Sequence, residues 1–354
     1  MSRFIRELYK DFKSYMPGEQ PKDRKYLKLN TNESPFPPAP EVYQAMRDAD
    51  MEQMRLYPDP TGSKLKGKLA QLYKVQPGNI FLSNGSDDIL NFAFMAWNDS
   101  ADTLVIPDVT YSFYEVAAKL HEVNYEIKPL KEDLTVDWQC YIGIGKNLIL
   151  PNPNAPTGIA LTRVQIEAIV NSNPDNVIVI DEAYAGFGAE SAVPLTVKYD
   201  NLLVVQTFSK SRALAGSRIG FAMGNPELIR ALWDVRNSFN SYTMDRITQK
   251  LGAASIEDEE YFQAQLARVV ASREWTKKEL RRLGFYFPDS RTNFIFARHE
   301  RLPAIEIFHA LKEAGILVRH FALPKIDNYL RISIGTDQQM QDMIRFLDHY
   351  LADH

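Results

Sequence analysis

The sequence has one cysteine, six histidines and no long apolar run, and each shortage closes off a class of protein. A single cysteine, Cys140, leaves no internal disulfide, and a small apolar side chain is a plainer role for it than a nucleophile. No histidine stands in ligand-like spacing with cysteine or carboxylate, so no metal site is expected. No stretch approaches the roughly 18 apolar residues that a membrane span requires. The first ten residues mix charge with apolar side chains and lack a signal-peptide core, so the expected setting is the reducing cytoplasm. A formal net charge of −4 gives no electrostatic reason to expect nucleic acid.

What is present is a chain of 354 residues, 45% hydrophobic and 24% charged, long enough for one large domain and a smaller one. Near-continuous apolar runs mark candidate strands at Ile80–Ser83, Thr103–Ile106, Asn147–Leu150, Asn176–Ile180, Asn201–Val205 and Ile219–Met223. Helical patterns lie between them, at Asp87–Trp97, Ser112–Leu120, Thr162–Asn171 and Glu227–Phe239. This rhythm predicts an α/β fold with a mostly parallel central sheet flanked by helices. A long helix over about Glu257–Leu283 then leads to shorter mixed elements, read as a smaller α+β domain. The expected division is an N-terminal segment 1–45 packing on the small domain, a large domain 46–255 and a small domain 256–354. The basic run Lys277-Lys278…Arg281-Arg282 reads as a solvated helix face. In such sheets ligands bind beyond the carboxyl ends of the strands, so the residues after each strand are the ones to inspect.

Lys210 follows the strand Asn201–Val205, with Thr207, Ser209 and Ser211 around it and Arg218 eight residues on. An amine beside hydroxyls and a guanidinium suits an aldehyde cofactor that carries a phosphate, such as pyridoxal phosphate. Asp181 ends the strand Asn176–Ile180 and is placed to hold a pyridine nitrogen protonated, with Tyr184 donating to the ring oxygen; capping of the next turn is the alternative. The rigid run Pro151-Asn152-Pro153-Asn154-Ala155-Pro156-Thr157-Gly158 either presents an amide to the ring oxygen or is a plain loop. Asn84-Gly85-Ser86-Asp87-Asp88 opens a helix whose free N–H groups suit a phosphate, or are capped by Ser86 or Asp87. A tyrosine in Pro107–Tyr114 can stack on a flat ring. Arg331, alone in the apolar strand Tyr329–Ile334, needs an anion, and Arg319 is a second candidate; an internal salt bridge is the other reading of each.

Taken together, Asn152–Gly158, Asp181-Glu182-Ala183-Tyr184, Ser209–Gly220 and Leu330-Arg331-Ile332-Ser333 resemble the fold-type-I pyridoxal-phosphate aminotransferases. Within them the chain most resembles the histidinol-phosphate aminotransferase family, which Leu29–Pro35 and Arg55–Asp59 also match. The resemblance implies that Lys210 carries the cofactor covalently, that Asp181 pairs with the ring nitrogen and Tyr184 with the ring oxygen, and that Tyr111 stacks on the ring. It implies that Ser86, Asp87 (through its backbone N–H), Ser209 and Arg218 bind the phosphate, with Thr207 nearby. Tyr57 would reach that phosphate from the other subunit of a homodimer, and Arg331 and Arg319 would hold the anionic end of the substrate. Two departures stand out. Ala155 occupies the place of the family's usual asparagine, so Asn154 is expected to make the ring-oxygen contact. Ser211 and Arg212 replace a smaller or aromatic pair, so the phosphate side is expected to differ. The implied reaction moves an amine from L-histidinol phosphate to 2-oxoglutarate. An aminotransferase for aromatic amino acids and a threonine-phosphate decarboxylase are the alternatives.

Overall fold

The structure is a computed structural model that describes residues 3–10, 12–99, 101 and 103–354. The chain begins with β1 (Leu27–Lys28), α1 (Pro40–Arg47), α2 (Ser63–Tyr73), β2 (Ile80–Ser83), α3 (Ser86–Trp97), β3 (Thr103–Pro107), α4 (Phe113–Leu120) and β4 (Asn124–Lys128). It continues with β5 (Leu148–Pro151), α5 (Arg163–Asn171), β6 (Ile178–Asp181), β7 (Leu202–Thr207), β8 (Gly220–Met223), α6 (Pro226–Phe239) and α7 (Arg246–Ser255). After the long α8 (Glu259–Arg282) come β9 (Phe285–Tyr286), β10 (Phe294–His299), α9 (Ala304–Glu313), β11 (Ile316–Leu317), β12 (Arg319–His320), β13 (Leu330–Ser333) and α10 (Asp337–Ala352).

Seven strands form one sheet in the order β2-β8-β7-β6-β5-β3-β4. Only β8 runs against its neighbours; the other pairings are parallel. Every residue of β2, β5, β6, β7 and β8 is buried, because helices cover both faces of the sheet. The edge strand β4 is half-exposed, and its polar–apolar mixture hides it from a search for apolar runs. The parallel arrangement brings the ends of β2, β3, β5, β6 and β7 to one edge. Because β8 is antiparallel, its start at Gly220 joins them, opposite Ser83 and Thr207.

The second core lies on the antiparallel sheet β12-β13-β10-β9 and is closed by α8, α9 and α10. Leu266, Val269 and Leu280 of α8 belong to it, whereas Ala253 and Ala254 of α7 belong to the first, so the core changes between Ser255 and Glu259. The N-terminal segment drawn at 1–45 is shared between the two. β1 pairs in parallel with β11, and Leu29 and Phe36 enter the second core. Ala39 and Val42 enter the first. Residues 1, 2 and 11 of that segment lie outside the described residues. The basic run on α8 is not wholly solvated: Lys277 is buried and pairs with Glu274 and Asp289 at 2.9 and 2.6 Å. No helix among the described residues is long and apolar enough to cross a membrane, and no cluster of three metal-ligating side chains occurs among them.

Candidate active site

Asp181 is the last residue of β6, pairs in register with Val205 of β7, and is buried. Its Oδ2 accepts from the Tyr114 hydroxyl at 2.7 Å and its Oδ1 from the Ala183 amide at 3.0 Å. Burial outweighs these donors and raises its carboxyl to about 6. Lys210 follows β7 by three residues, and its Nζ donates to the Thr31 carbonyl at 3.0 Å and lies 5.9 Å from the centre of the Tyr184 ring. It makes no ion pair among the described residues. Burial first, and then the Arg331 cation, push its amine down to about 8.

The helix α3 begins after Gly85, whose φ of +93° belongs to the glycine-favouring region, and no side chain caps its first turn. Its free N–H groups therefore stay available to an anion. The Arg218 guanidinium lies beside this terminus: a Cβ on Gly85 would come within 2.7 Å of it. Arg218 donates to Asp87 Oδ2 at 3.2 Å, and Asp87 Oδ1 accepts from the Tyr111 hydroxyl at 3.2 Å. Thr207 and Ser209 hydroxyls stand 2.9 Å apart beneath the same turn. Gly220 admits no side chain here, since its Cβ would meet the Gly85 carbonyl carbon at 2.2 Å.

Asn154 is buried, and its amide donates to the Val109 carbonyl at 2.9 Å and to Thr157 Oγ1 at 3.1 Å. Its Oδ1 has no partner among the described residues. Tyr184 packs edge-on against Phe294 and accepts a hydrogen bond from Asn32 Nδ2 at 2.9 Å. Arg331 comes from β13 and sits near Lys210 and Tyr184. It donates to the Asn30 carbonyl at 3.1 Å, its Nε is buried without a partner, and it makes no ion pair among the described residues. Burial holds its guanidinium below the usual range. Arg319 is opposite it in register, and the two guanidinium groups lie 5.7 and 5.5 Å from the Phe321 ring. Arg319 also reaches the Met16 carbonyl, with no carboxylate partner among the described residues. Tyr57 stands apart: it is 77% exposed and stacks on Tyr242 at 4.5 Å.

The edge of the sheet therefore gathers Lys210, Asp181, Tyr184, Tyr111, Asn154, Ser86, Asp87, Thr207, Ser209 and Arg218, with Arg331 and Arg319 entering from the second unit. Arg212 is engaged elsewhere, with the Ser255 carbonyl at 2.6 Å and Glu259 at 2.9 Å, and it stacks on Phe262. Sequence reasoning missed Tyr114, Asn32 and Tyr15. Tyr114 stands three residues after Tyr111, and the two rings pack edge-on at 5.7 Å. Tyr15 packs on Tyr111 at 5.5 Å from a segment without regular structure, and no local pattern announces it.

This donor set suits pyridoxal phosphate: an amine for the aldehyde, an acid for the ring nitrogen, and free N–H groups, hydroxyls and a guanidinium for the phosphate. Arg331 Nε is a buried donor with no partner among the described residues, and a bound anion would relieve it. Residues 24–347 match the family model for aminotransferase class I and II, and the chain belongs to that family of pyridoxal-phosphate-dependent enzymes. Its nearer kinship is with histidinol-phosphate aminotransferases. The one from Brachyspira hyodysenteriae is 47% identical over 99% of both chains, and the one from Syntrophus aciditrophicus 49% identical over 94% of this chain and 93% of its own. The crystal structure of histidinol-phosphate aminotransferase from Sinorhizobium meliloti in complex with pyridoxal 5'-phosphate superposes with a TM-score of 0.84. It is 24% identical and covers 93% of this chain and 92% of that one, a likeness of fold.

Proposed function

We propose that the enzyme transfers the amine of L-histidinol phosphate to 2-oxoglutarate, giving imidazole acetol phosphate and L-glutamate, as a step of histidine biosynthesis. The observation that carries this reading is a pair of cations, Lys210 and Arg331, that make no ion pair among the described residues and sit close enough to act on each other's charge, with Tyr184 beside them interacting with both Arg331 and the buried Asp181. The names of the relatives supply the donor.

When bound, pyridoxal phosphate supplies an electron sink that stabilises negative charge at the substrate α-carbon. Lys210 would hold the aldehyde of that group, and its Nζ, with a lowered proton affinity, would serve as the base and then the acid for the proton at the α-carbon. Asp181 would pair with the ring nitrogen, and Tyr114 holds that carboxylate in place. Tyr184 and Asn154 would serve the ring oxygen; Asn154 would have to redirect one of its two amide hydrogens to do so. Tyr111 would lie against the ring. The α3 N–H groups at Ser86 and Asp87, the hydroxyls of Ser209 and Thr207, and Arg218 take the phosphate. Arg331 and Arg319 hold the substrate anion, since a guanidinium fork fits a phosphate monoester or a carboxylate equally.

The reading includes a homodimer in which Tyr57 of a second copy reaches the phosphate. Tyr57 and the Tyr242 ring stacked on it are both exposed, an apolar surface that a second copy would cover. The amino donor is tested by mixing the loaded enzyme separately with histidinol phosphate, glutamate, phenylalanine and threonine phosphate, and recording loss of the visible absorbance. Fastest conversion by histidinol phosphate is expected. Faster conversion by phenylalanine, or carbon dioxide release from threonine phosphate, would replace the donor named here.

A further inference from the structure

The hydroxyl of Tyr184 is an acceptor in the network that surrounds it, and this fixes where its proton can go. The network starts from the backbone of Asn32, which is buried with φ at +55°, a region that asparagine and aspartate tolerate better than other side chains. Asn293 Nδ2 donates to the Asn32 carbonyl at 2.9 Å, and the Asn32 amide donates to Ser333 Oγ at 2.9 Å. Ser333 is itself buried and tied to the Leu29 carbonyl through its own amide at 2.9 Å. A serine hydroxyl has one proton, and here it goes to Asn32 Oδ1 at 2.9 Å. That bond decides which end of the Asn32 amide is oxygen and turns Nδ2 toward Tyr184. Nδ2 then donates to the Tyr184 hydroxyl at 2.9 Å. No described residue accepts the proton of Tyr184, so that proton is free for a group bound beside Lys210, whose Nζ lies 5.9 Å from the centre of the Tyr184 ring.

We propose that Asn32 is a positioning residue that turns the Tyr184 proton toward the ring oxygen of the cofactor, with Ser333 setting the orientation of the Asn32 amide. This rests on the reading of Tyr184 as a donor to that oxygen. The relay also ties β13, which carries Arg331 two residues before Ser333, to the polarisation of the ring.

Asn32→Asp keeps the size and the backbone preference of residue 32 and replaces a donor by an acceptor. The neighbouring Arg331 cation, bonded to the Asn30 carbonyl, favours its ionised form. The carboxylate then draws the Tyr184 proton away from the ring oxygen. The readout is the pH midpoint of the visible absorbance of the pyridoxal-phosphate-loaded enzyme, which reports protonation at the ring oxygen and the Lys210 nitrogen. Loss of one donor to the ring oxygen is expected to raise this midpoint by about one pH unit. Tyr184→Phe is expected to raise it by a similar amount, and Ser333→Ala by less, because the Asn32 amide is then free to turn over. A midpoint unmoved in Asn32→Asp, with Tyr184→Phe shifted, overturns the proposal. Should Asn32→Asp not fold, an unmoved midpoint in Ser333→Ala does so. An unmoved midpoint in Tyr184→Phe overturns instead the role of Tyr184 on which the proposal stands.

Discussion

The Tyr114 hydroxyl donates to Asp181 Oδ2 at 2.7 Å, and both side chains are buried. This bond is one of two donors that oppose the effect of burial on the Asp181 carboxyl. Tyr114→Phe removes it without changing the ring that fills the space. Asp181 is then expected to hold its proton above its present value of about 6, and its pairing with the ring nitrogen weakens. A hydrogen bond to a charged group contributes about 1.5–3 kcal/mol, so kcat should fall about tenfold or more. Steady-state rates across pH check this, and the acid limb of the profile should move to higher pH.

Lys210 has the opposite sign. Its amine titrates at about 8 in the folded chain against an ordinary value of 10.5. Between these limits the unfolded chain binds more protons, so stability rises with pH, and the cost of burying the charge is fully present below pH 8. Lys210→Met should therefore stabilise the cofactor-free protein at pH 7 by roughly 1–3 kcal/mol, with the gain vanishing above pH 10.5. Thermal melts at pH 7 and pH 11 test this. The same lowered affinity means that capture of pyridoxal phosphate, which needs the neutral amine, should reach half its maximal rate near pH 8. Stopped-flow absorbance would show it.

Arg331 makes no ion pair with any described residue. Arg331→Lys keeps the charge and loses the fork, so KM for the phosphorylated substrate should rise about tenfold to a hundredfold. The urea midpoint of the cofactor-free protein should not fall, because no ion pair is broken. Parallel kinetic and unfolding measurements separate the two effects.

Much of this was legible in the residues. The buried strands announce themselves as unbroken apolar runs, Ile178–Ile180 and Leu202–Val205 among them, because helices cover both faces. The polar residues that follow such strands are the ones the proposed site draws on, which is why Asp181 and Lys210 stand out. β4 escaped because an edge strand carries no such run. The site residues that escaped act through contacts distant in sequence. Tyr114 reaches Asp181 across 67 positions, and Asn32 reaches Ser333 across 301. The asparagine shift in Asn152–Gly158 was visible, but its consequence was not: Asn154 spends both amide hydrogens on Val109 and Thr157.

The central claim is tested most directly by reducing the yellow, pyridoxal-phosphate-loaded enzyme with borohydride, digesting it and locating the added mass. The phosphopyridoxyl group is expected on Lys210 and on no other lysine. A label on a different lysine, or a protein that takes up no chromophore at all, would contradict the account.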